Sequence, residues 1–313
     1  MLKYTIRRLL IMIPVLFGVT IVISSLIYFS PGNPAQLALG QGADAQAVQQ
    51  LEREMGLHQP VYIRYFYWLE SAVHGDFGES LQNGRSVTDL MLSRAPATLE
   101  LVLSSMAIML VVALPLGVLS AVKQYSWVDN ASMLFALFWI SMPSFWLGLI
   151  LIMLFSVRWG IFPISGRSGG VLSLTALSFL ALPAIANGAR RAGILTRMTR
   201  GAMLEVLNED YIRTARGKGI GEKGVIYTHA MKNAMIPVIT IIGLQVPTLV
   251  SASVIIEIVF AWPGMGRLLV DAVFQRDYPV VQGVVLMYAI LVMIANLIVD
   301  LLYSYFDPRI QYD

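Results

Sequence analysis

Asp210-Tyr-Ile-Arg-Thr-Ala-Arg-Gly-Lys-Gly219 is the centre of the most charged stretch of a very apolar chain. The stretch runs from Thr199 to Asn233 and carries Arg200, Glu205, Glu209, Asp210, Arg213, Arg216, Lys218, Glu222, Lys223 and Lys232, with uncharged hydrophobic windows on both sides. Leu204, Leu207, Tyr211 and Ala215 recur at helical spacing, so its first half predicts one amphipathic helix. Gly217, Gly219, Gly221 and Gly224 then predict its end. A polar helix with a small-residue end, hung between apolar segments, has the form of a docking surface.

The windows around it set the class. Of 313 residues, 57% are hydrophobic and only 13% charged, which excludes an ordinary soluble domain. Uncharged runs occur at 9–29, 101–122, 131–157, 171–189, 234–256 and 280–299. Each is near or above the roughly 18 residues that cross a hydrocarbon core about 30 Å thick. The expectation is an all-α integral membrane protein with six transmembrane helices. Prolines 14, 115, 143, 183, 237 and 247 lie inside these windows, which membrane helices tolerate. The chain has no cysteine, so disulfides and thiol chemistry are excluded. The net charge of +3 reads as orientation charge, not as a nucleic-acid footprint.

Lys3, Arg7 and Arg8 precede the first window, Lys123 follows the second, and the 199–233 stretch follows the fourth. The positive-inside rule then puts both termini in the cytoplasm, including the Asp307-Pro-Arg309 tail. The first window is too long for a signal-peptide core and lacks a small-x-small cleavage site, so it reads as a retained anchor.

Residues 30–97 form the one sizeable module outside the membrane. Ser30-Pro-Gly-Asn-Pro34 predicts a turn, 43–55 a polar helix stopped by Gly56, and Pro60 the start of an aromatic helix. Tyr62, Tyr65, Phe66 and Leu69 share a face of that helix, with Tyr67 and Trp68 beside it. Two readings stay open, packing at the membrane interface and a site for delivered substrate. Met142-Pro-Ser144 predicts a kink in the third span.

Two motif spellings carry no chemistry. Gly166-Arg-Ser-Gly-Gly170 matches G-x-S-x-G, but none of His58, His74 and His229 lies in a membrane window to serve it. Gly219-Ile-Gly-Glu-Lys-Gly224 spells G-x-G-x-x-G without the strand that gives the fingerprint meaning. The scattered histidines argue no metal site, and no phosphate-binding P-loop occurs. Glu100, Glu257 and Asp300 fall at window margins, where water is expected to reach them, and Arg190 and Arg191 are expected to snorkel to the inner interface. A carrier driven by an ion gradient usually keeps charge at mid-membrane. An external energy source is the better expectation.

At this point the 199–233 stretch resembles the EAA loop of permease subunits in ATP-binding-cassette importers, specifically the dipeptide, oligopeptide and nickel branch. The matching run is Glu209 to Gly219, followed by His229-Ala-Met-Lys-Asn233 and Pro237. Gly217, Met231 and Lys232 stand where that branch usually has alanine, leucine and arginine. Similar blocks recur in order at 9–34, Gly75-Asp-Phe-Gly78, Pro96-Ala-Thr-Leu-Glu-Leu101, Ser141-Met-Pro143, Trp262-Pro-Gly-Met-Gly-Arg267, Arg276-Asp-Tyr-Pro279 and Asp307-Pro-Arg309.

The resemblance implies a type I importer permease fold: 1–29 as tail and first helix, 30–97 as a helical extracytoplasmic module, and 98–313 as a five-helix core. It implies a multi-pass protein of a bacterial or archaeal cell membrane. Its partners would be a second homologous permease subunit, two cytoplasmic ATPases that hold the ATP and magnesium, an extracytoplasmic binding protein and membrane lipid, with no nucleic acid. The subunit itself would be no enzyme and hold no cofactor. Tyr211, Arg213, Thr214, Ala215, Arg216, Gly217, Lys218, Gly219, His229 and Asn233 would couple to the ATPases. Trp262, Pro263, Gly264, Gly266, Arg267, Asp277 and Tyr278 would serve a gate or a binding-protein contact, with interfacial anchoring of Trp262 equally open. Short peptides are the expected cargo; a nickel chelate, glutathione or a sugar stays open, and so does a secondary carrier outside this class.

Overall fold

The computed structural model describes residues 2–29, 34–39, 42, 44–54, 56–168 and 173–306. Most of the Ser30–Pro34 turn, the end of the 166–170 loop and the Asp307-Pro-Arg309 block lie outside the described residues. Helices dominate the rest, with a single isolated β-bridge between Glu79 and Ser86 among the described residues.

In chain order the helices are α1 (Leu2–Phe29), α2 (Pro34–Leu39), α3 (Ala45–Glu54), α4 (Val61–Val73), α5 (Val87–Val122) and α6 (Trp127–Ser141). Then come α7 (Ser144–Leu151), extended by a π-helical run over Ile152–Arg158, α8 (Leu174–Leu207) and α9 (Asp210–Gly217). The chain closes with α10 (Glu222–Gly224), a π-helical turn over Val225–Ala230, α11 (Met231–Val259), α12 (Met265–Gln275) and α13 (Tyr278–Phe306).

Among the described residues four helices are long and apolar enough to cross a membrane, and a fifth is added if α6 and α7 with its π run count as one bent span. That pair turns by 104° where the sequence predicts a kink. Pro143 supplies no N–H and disfavours helical geometry at the residue before it, and Met142 is accordingly extended. The window expected as the fourth span is α8. At 34 residues it is about 50 Å long. Asn187, Arg190, Arg191 and Arg197 dilute its apolar run, so it does not meet the composition of a lipid-facing span.

The described residues divide into two compact units, one centred on 98–262 and the other formed by 6–97 with 263–293. In the first, α8 is the central helix and packs against α6, α7 and α11. Its approach to its neighbours depends on glycine. A Cβ on Gly188 would stand 2.6 Å from the Ser105 carbonyl oxygen, and one on Gly193 2.5 Å from that of Ala136. Small residues let membrane helices meet backbone to backbone. Met109, Ala113, Ala192, Leu195 and Val238 fill the space around this contact.

In the second unit, Val87, Met91, Met265, Ala272, Val280 and Val284 form the core. Gly56 follows α3 with φ +64°, the left-handed stop expected after that helix. Tyr65 in α4 shares a 2.8 Å hydrogen bond with Thr20 of α1, and its ring meets Phe17 edge-on.

Three expectations change. The amphipathic helix read through Leu204 and Ala215 is broken at Asn208 and Glu209, giving the end of α8 and a separate α9. Glu257 is buried and accepts a 2.7 Å hydrogen bond from the Thr98 hydroxyl, so water does not reach it. Arg191 does not snorkel; it is only 8% exposed and bonded inside the first unit.

Candidate coupling surface

α9 is short, and its seat follows from two apolar side chains. Ile212 and Ala215, three apart, share one face and are buried against Val118 and Ala121 of α5, Met203 of α8, Val225 and Ile226 of the π turn, and Ala234 of α11. The opposite face carries Tyr211, Arg213, Thr214, Arg216 and Gly217, all exposed. Arg213 reaches Asp210 at 3.3 Å, a solvent-exposed pair of little energetic consequence.

The exit of α9 is built by glycine. Gly219 has φ +78°, its N–H donates to the Arg216 carbonyl, and the N–H of Ile220 reaches back to Ala215. These two bonds make a Schellman motif, and only the left-handed conformation at Gly219 allows them without strain. Beyond the turn, Arg216 grips Glu222 through two bonds of 2.8 and 3.2 Å. The Glu222 carboxylate holds the Arg216 guanidinium above its ordinary range. Asn233 donates its Nδ2 to the Tyr211 hydroxyl at 2.7 Å, tying the base of α11 to the start of α9. His229 sits half-buried in the π turn, and Lys218 is exposed at the end of α9.

The structure therefore brings the ten residues of the first candidate set into one segment, but on two faces. Ala215 faces inward, only 6% exposed, and adds nothing to the exposed surface. The second set is divided. Trp262 falls in the first unit and is 1% exposed, which excludes the interfacial anchoring left open for it. Pro263, Gly264, Gly266, Arg267, Asp277 and Tyr278 fall in the second unit. There Gly264 precedes α12, Gly266 is buried in its first turn, and Arg267 lies 3.7 Å from Asp271 on the same helix. Asp277 is buried and accepts bonds from the Ser80 hydroxyl at 2.5 Å and the Leu81 N–H at 3.1 Å.

Two polar clusters went unread in the sequence. Asp129, 2% exposed at the start of α6, receives both Nε and Nη2 of Arg200 at 2.7 Å. It also accepts the Ser120 hydroxyl and the Tyr125 N–H, so the ends of α5, α6 and α8 share one carboxylate. Arg191 donates to the Asn187 carbonyl at 2.8 Å and to the Thr248 hydroxyl and carbonyl at 3.0 and 2.5 Å. Among the described residues no carboxylate pairs with it. Asn187 Nδ2 reaches the Ser105 hydroxyl at 3.1 Å, and Asn187 Oδ1 is buried without a partner. The arginines were visible as charges; partners dozens of residues away in the chain were not. Among the described residues no cluster of three or more His, Cys, Asp or Glu side chains could hold a metal ion.

Comparison with known proteins places these features in context. Residues 113–312 match the family described as the binding-protein-dependent transport system inner membrane component, and residues 1–102 match the N-terminal family of the same membrane components. The chain is 42% identical over its full length to the whole dipeptide transport system permease protein DppB of Alkalihalophilus pseudofirmus. Equal identity, again over all of both chains, relates it to the oligopeptide transport system permease protein AppB of Bacillus subtilis. It is 41% identical to the glutathione transport system permease protein GsiC of Escherichia coli, with both chains covered in full. Its fold is similar to a chain of the inward-facing MetNI methionine ABC transporter, with a TM-score of 0.56 and 21% identity over 70% of this chain and 96% of that one.

Proposed function

Because the chain belongs to the family of binding-protein-dependent transport system inner membrane components, we propose that it forms the path by which an ATP-driven importer carries short peptides inward. The family membership itself makes it a multi-pass permease component of an ABC transporter, not a catalyst, with no cofactor on this subunit. It also implies ATPase and binding-protein partners.

Short peptide cargo is supported by the relatives. Those named for dipeptides, oligopeptides and glutathione stand at 41–42% identity, and all three cargoes are small peptides with free ends. A homologous second permease, paired with this one over two ATPases, would complete the machine. α8 would be its sixth span. Surrounded by protein and not lipid, it tolerates Asn187 and Arg191 where a lipid-facing helix would not.

The observation that carries the reading is α9: a charged outer face held rigidly on the bundle by Ile212 and Ala215. Such a helix transmits force. An ATPase groove closing on Arg213, Thr214 and Arg216 would move α9 together with the ends of α5, α8 and α11, a rigid-body switch between two states of the bundle.

Because the chain has no cysteine, a single Thr214→Cys change gives a clean probe. In the assembled transporter it should crosslink to an ATPase subunit, with a yield that changes when ATP binds. Crosslinks only to lipid or to the other permease would refute the coupling role. Uptake by the same particle of a labelled dipeptide, and not of a nickel chelate, would support the cargo.

A further inference from the structure

The second unit holds a cavity of about 610 Å³ that neither the coupling surface nor the comparisons account for. Its size falls within the roughly 300–1,000 Å³ of small-ligand sites. It opens among the aromatic helix α4, the turn after α3, the 76–81 segment and the first turns of α13. Three features of its lining point to a ligand. Arg53 and Glu79 both line it, and among the described residues neither side chain makes an ion pair or hydrogen bond. Arg64, which is bonded, and Asp76, which accepts the Gly78 N–H, also line it, so among the described residues the wall carries two groups of each sign, of which Arg53 and Glu79 are without a bond. The Trp68 ring also lines it, a large flat apolar surface with its Nε1 enclosed by protein. Tyr65, Tyr67 and Tyr278 add aromatic surface to the wall.

The wall is prepared rather than collapsed. Tyr65 is held by Thr20, so α4 keeps the register that places Trp68 one turn further on the same side. Gln282, at the start of α13, is hydrogen-bonded to Ser24 of α1 at 3.4 Å. The cavity is therefore framed by helices and offers cationic, anionic and aromatic surface.

We propose that this cavity is a holding site for a short zwitterionic peptide. Arg53 takes the C-terminal carboxylate, Glu79 takes the N-terminal ammonium, and the Trp68 ring packs against the peptide between them. The inference rests on the peptide reading above and adds to it a cargo site on the permease, apart from the binding protein. It also decides between the two readings of the aromatic α4 face: the Trp68 side serves cargo. A zwitterionic lipid headgroup shares the ammonium and oxyanion, and the experiment separates it from a peptide.

The test uses the assembled transporter in lipid nanodiscs, without its binding protein, and labelled trialanine as the probe. Saturable binding is expected. N-acetyl-trialanine and trialanine amide should each bind about tenfold or more weakly, as loss of one charge-assisted contact requires. Glu79→Gln should abolish the discrimination against the acetylated form alone, and Arg53→Gln that against the amide alone. Both residues are exposed, so neither change endangers folding. No saturable trialanine binding, unchanged discrimination in both variants, or saturable binding of labelled glycerophosphoethanolamine that trialanine does not displace would each overturn the proposal. A transporter that imports peptides with its binding protein yet fails this test loses the holding site and keeps the import function. One that binds trialanine but never couples ATP hydrolysis to uptake loses the import reading instead.

Discussion

The helices α9 and α12 end in the same hydrogen-bond pattern but hold it by different means. After α9, Gly219 takes the left-handed conformation, and the next residue, Ile220, lies at the surface. After α12, Arg276 takes that conformation with φ +56°, its N–H donates to Val273, and the N–H of Asp277 reaches Ala272. A side chain at such a φ costs roughly 1–2 kcal/mol. The residue that follows offsets it, since Asp277 is buried and bonded to Ser80 and Leu81. The cap of α9 is thus complete within its own sequence, and that of α12 needs a segment nearly two hundred residues earlier. A helix end closed by its own residues does not depend on a distant segment for its cap, which fits the proposal that a partner pushes α9. A helix closed by tertiary bonds suits a fixed part of its unit.

The largest expected effect probes that contrast at the exposed face. A Cβ at Gly217 meets nothing within 4 Å, and its φ is ordinary, so Gly217→Trp adds bulk without touching the bundle. It should abolish ATP-coupled uptake while Tm stays within the shift expected of about 0.5 kcal/mol. Normal coupling in the variant would show that α9 is not gripped there. Gly219 is unsuited to the same test, because any side chain strains its left-handed backbone. Ala215→Glu comes next. It forces a carboxylate into the cluster around Ile212 and Met203, and should destabilise by about 3 kcal/mol or more in thermal unfolding. An unshifted Tm would mean that α9 lifts off its seat at little cost.

Asp277→Ala removes both tertiary bonds of the α12 cap and exposes the Arg276 strain, for a loss of about 2–3 kcal/mol. The Ser80–Asn83 turn should loosen with it, since the Ser80 hydroxyl also accepts from Gln82 and Asn83, and faster amide exchange there would report it. The smallest effect is a gain. Arg276→Gly relieves the left-handed residue and should stabilise by about 0.5–1 kcal/mol if strain is what Asp277 offsets. A loss of stability would show that the Arg276 side chain contributes more than its backbone costs.

The same contrast explains what could be read in advance. The Gly217–Gly219 stop of α9 was legible, because a cap made of glycine and neighbouring carbonyls is a local matter. The break at Asn208 was not. Leu204, Leu207, Tyr211 and Ala215 keep helical spacing across it, and periodicity does not register two residues that leave the helix and return in phase. Arg191 and Asp129 were legible as charges only. One is bonded to Thr248 and the other to Arg200, and for Arg191 burial inverted the expectation that it snorkels to the inner interface. The Trp68 cavity was half legible: the aromatic face stood out, while its pairing with Arg53 and Glu79 depends on how α3, α4 and the 76–81 segment meet.

By itself the sequence determined that this is an apolar, helical membrane component, and it marked the 199–233 stretch as its most charged segment. Hydrophobic run length, charge bias and glycine placement act over a few neighbouring residues. Tertiary structure alone decided which side of α9 faces the bundle core, that α8 is an interior helix carrying a buried arginine, and that Trp262, Glu257 and Asp277 are enclosed. Those outcomes depend on contacts between residues far apart in the chain, and desolvation is a property of the packed neighbourhood, not of the residue.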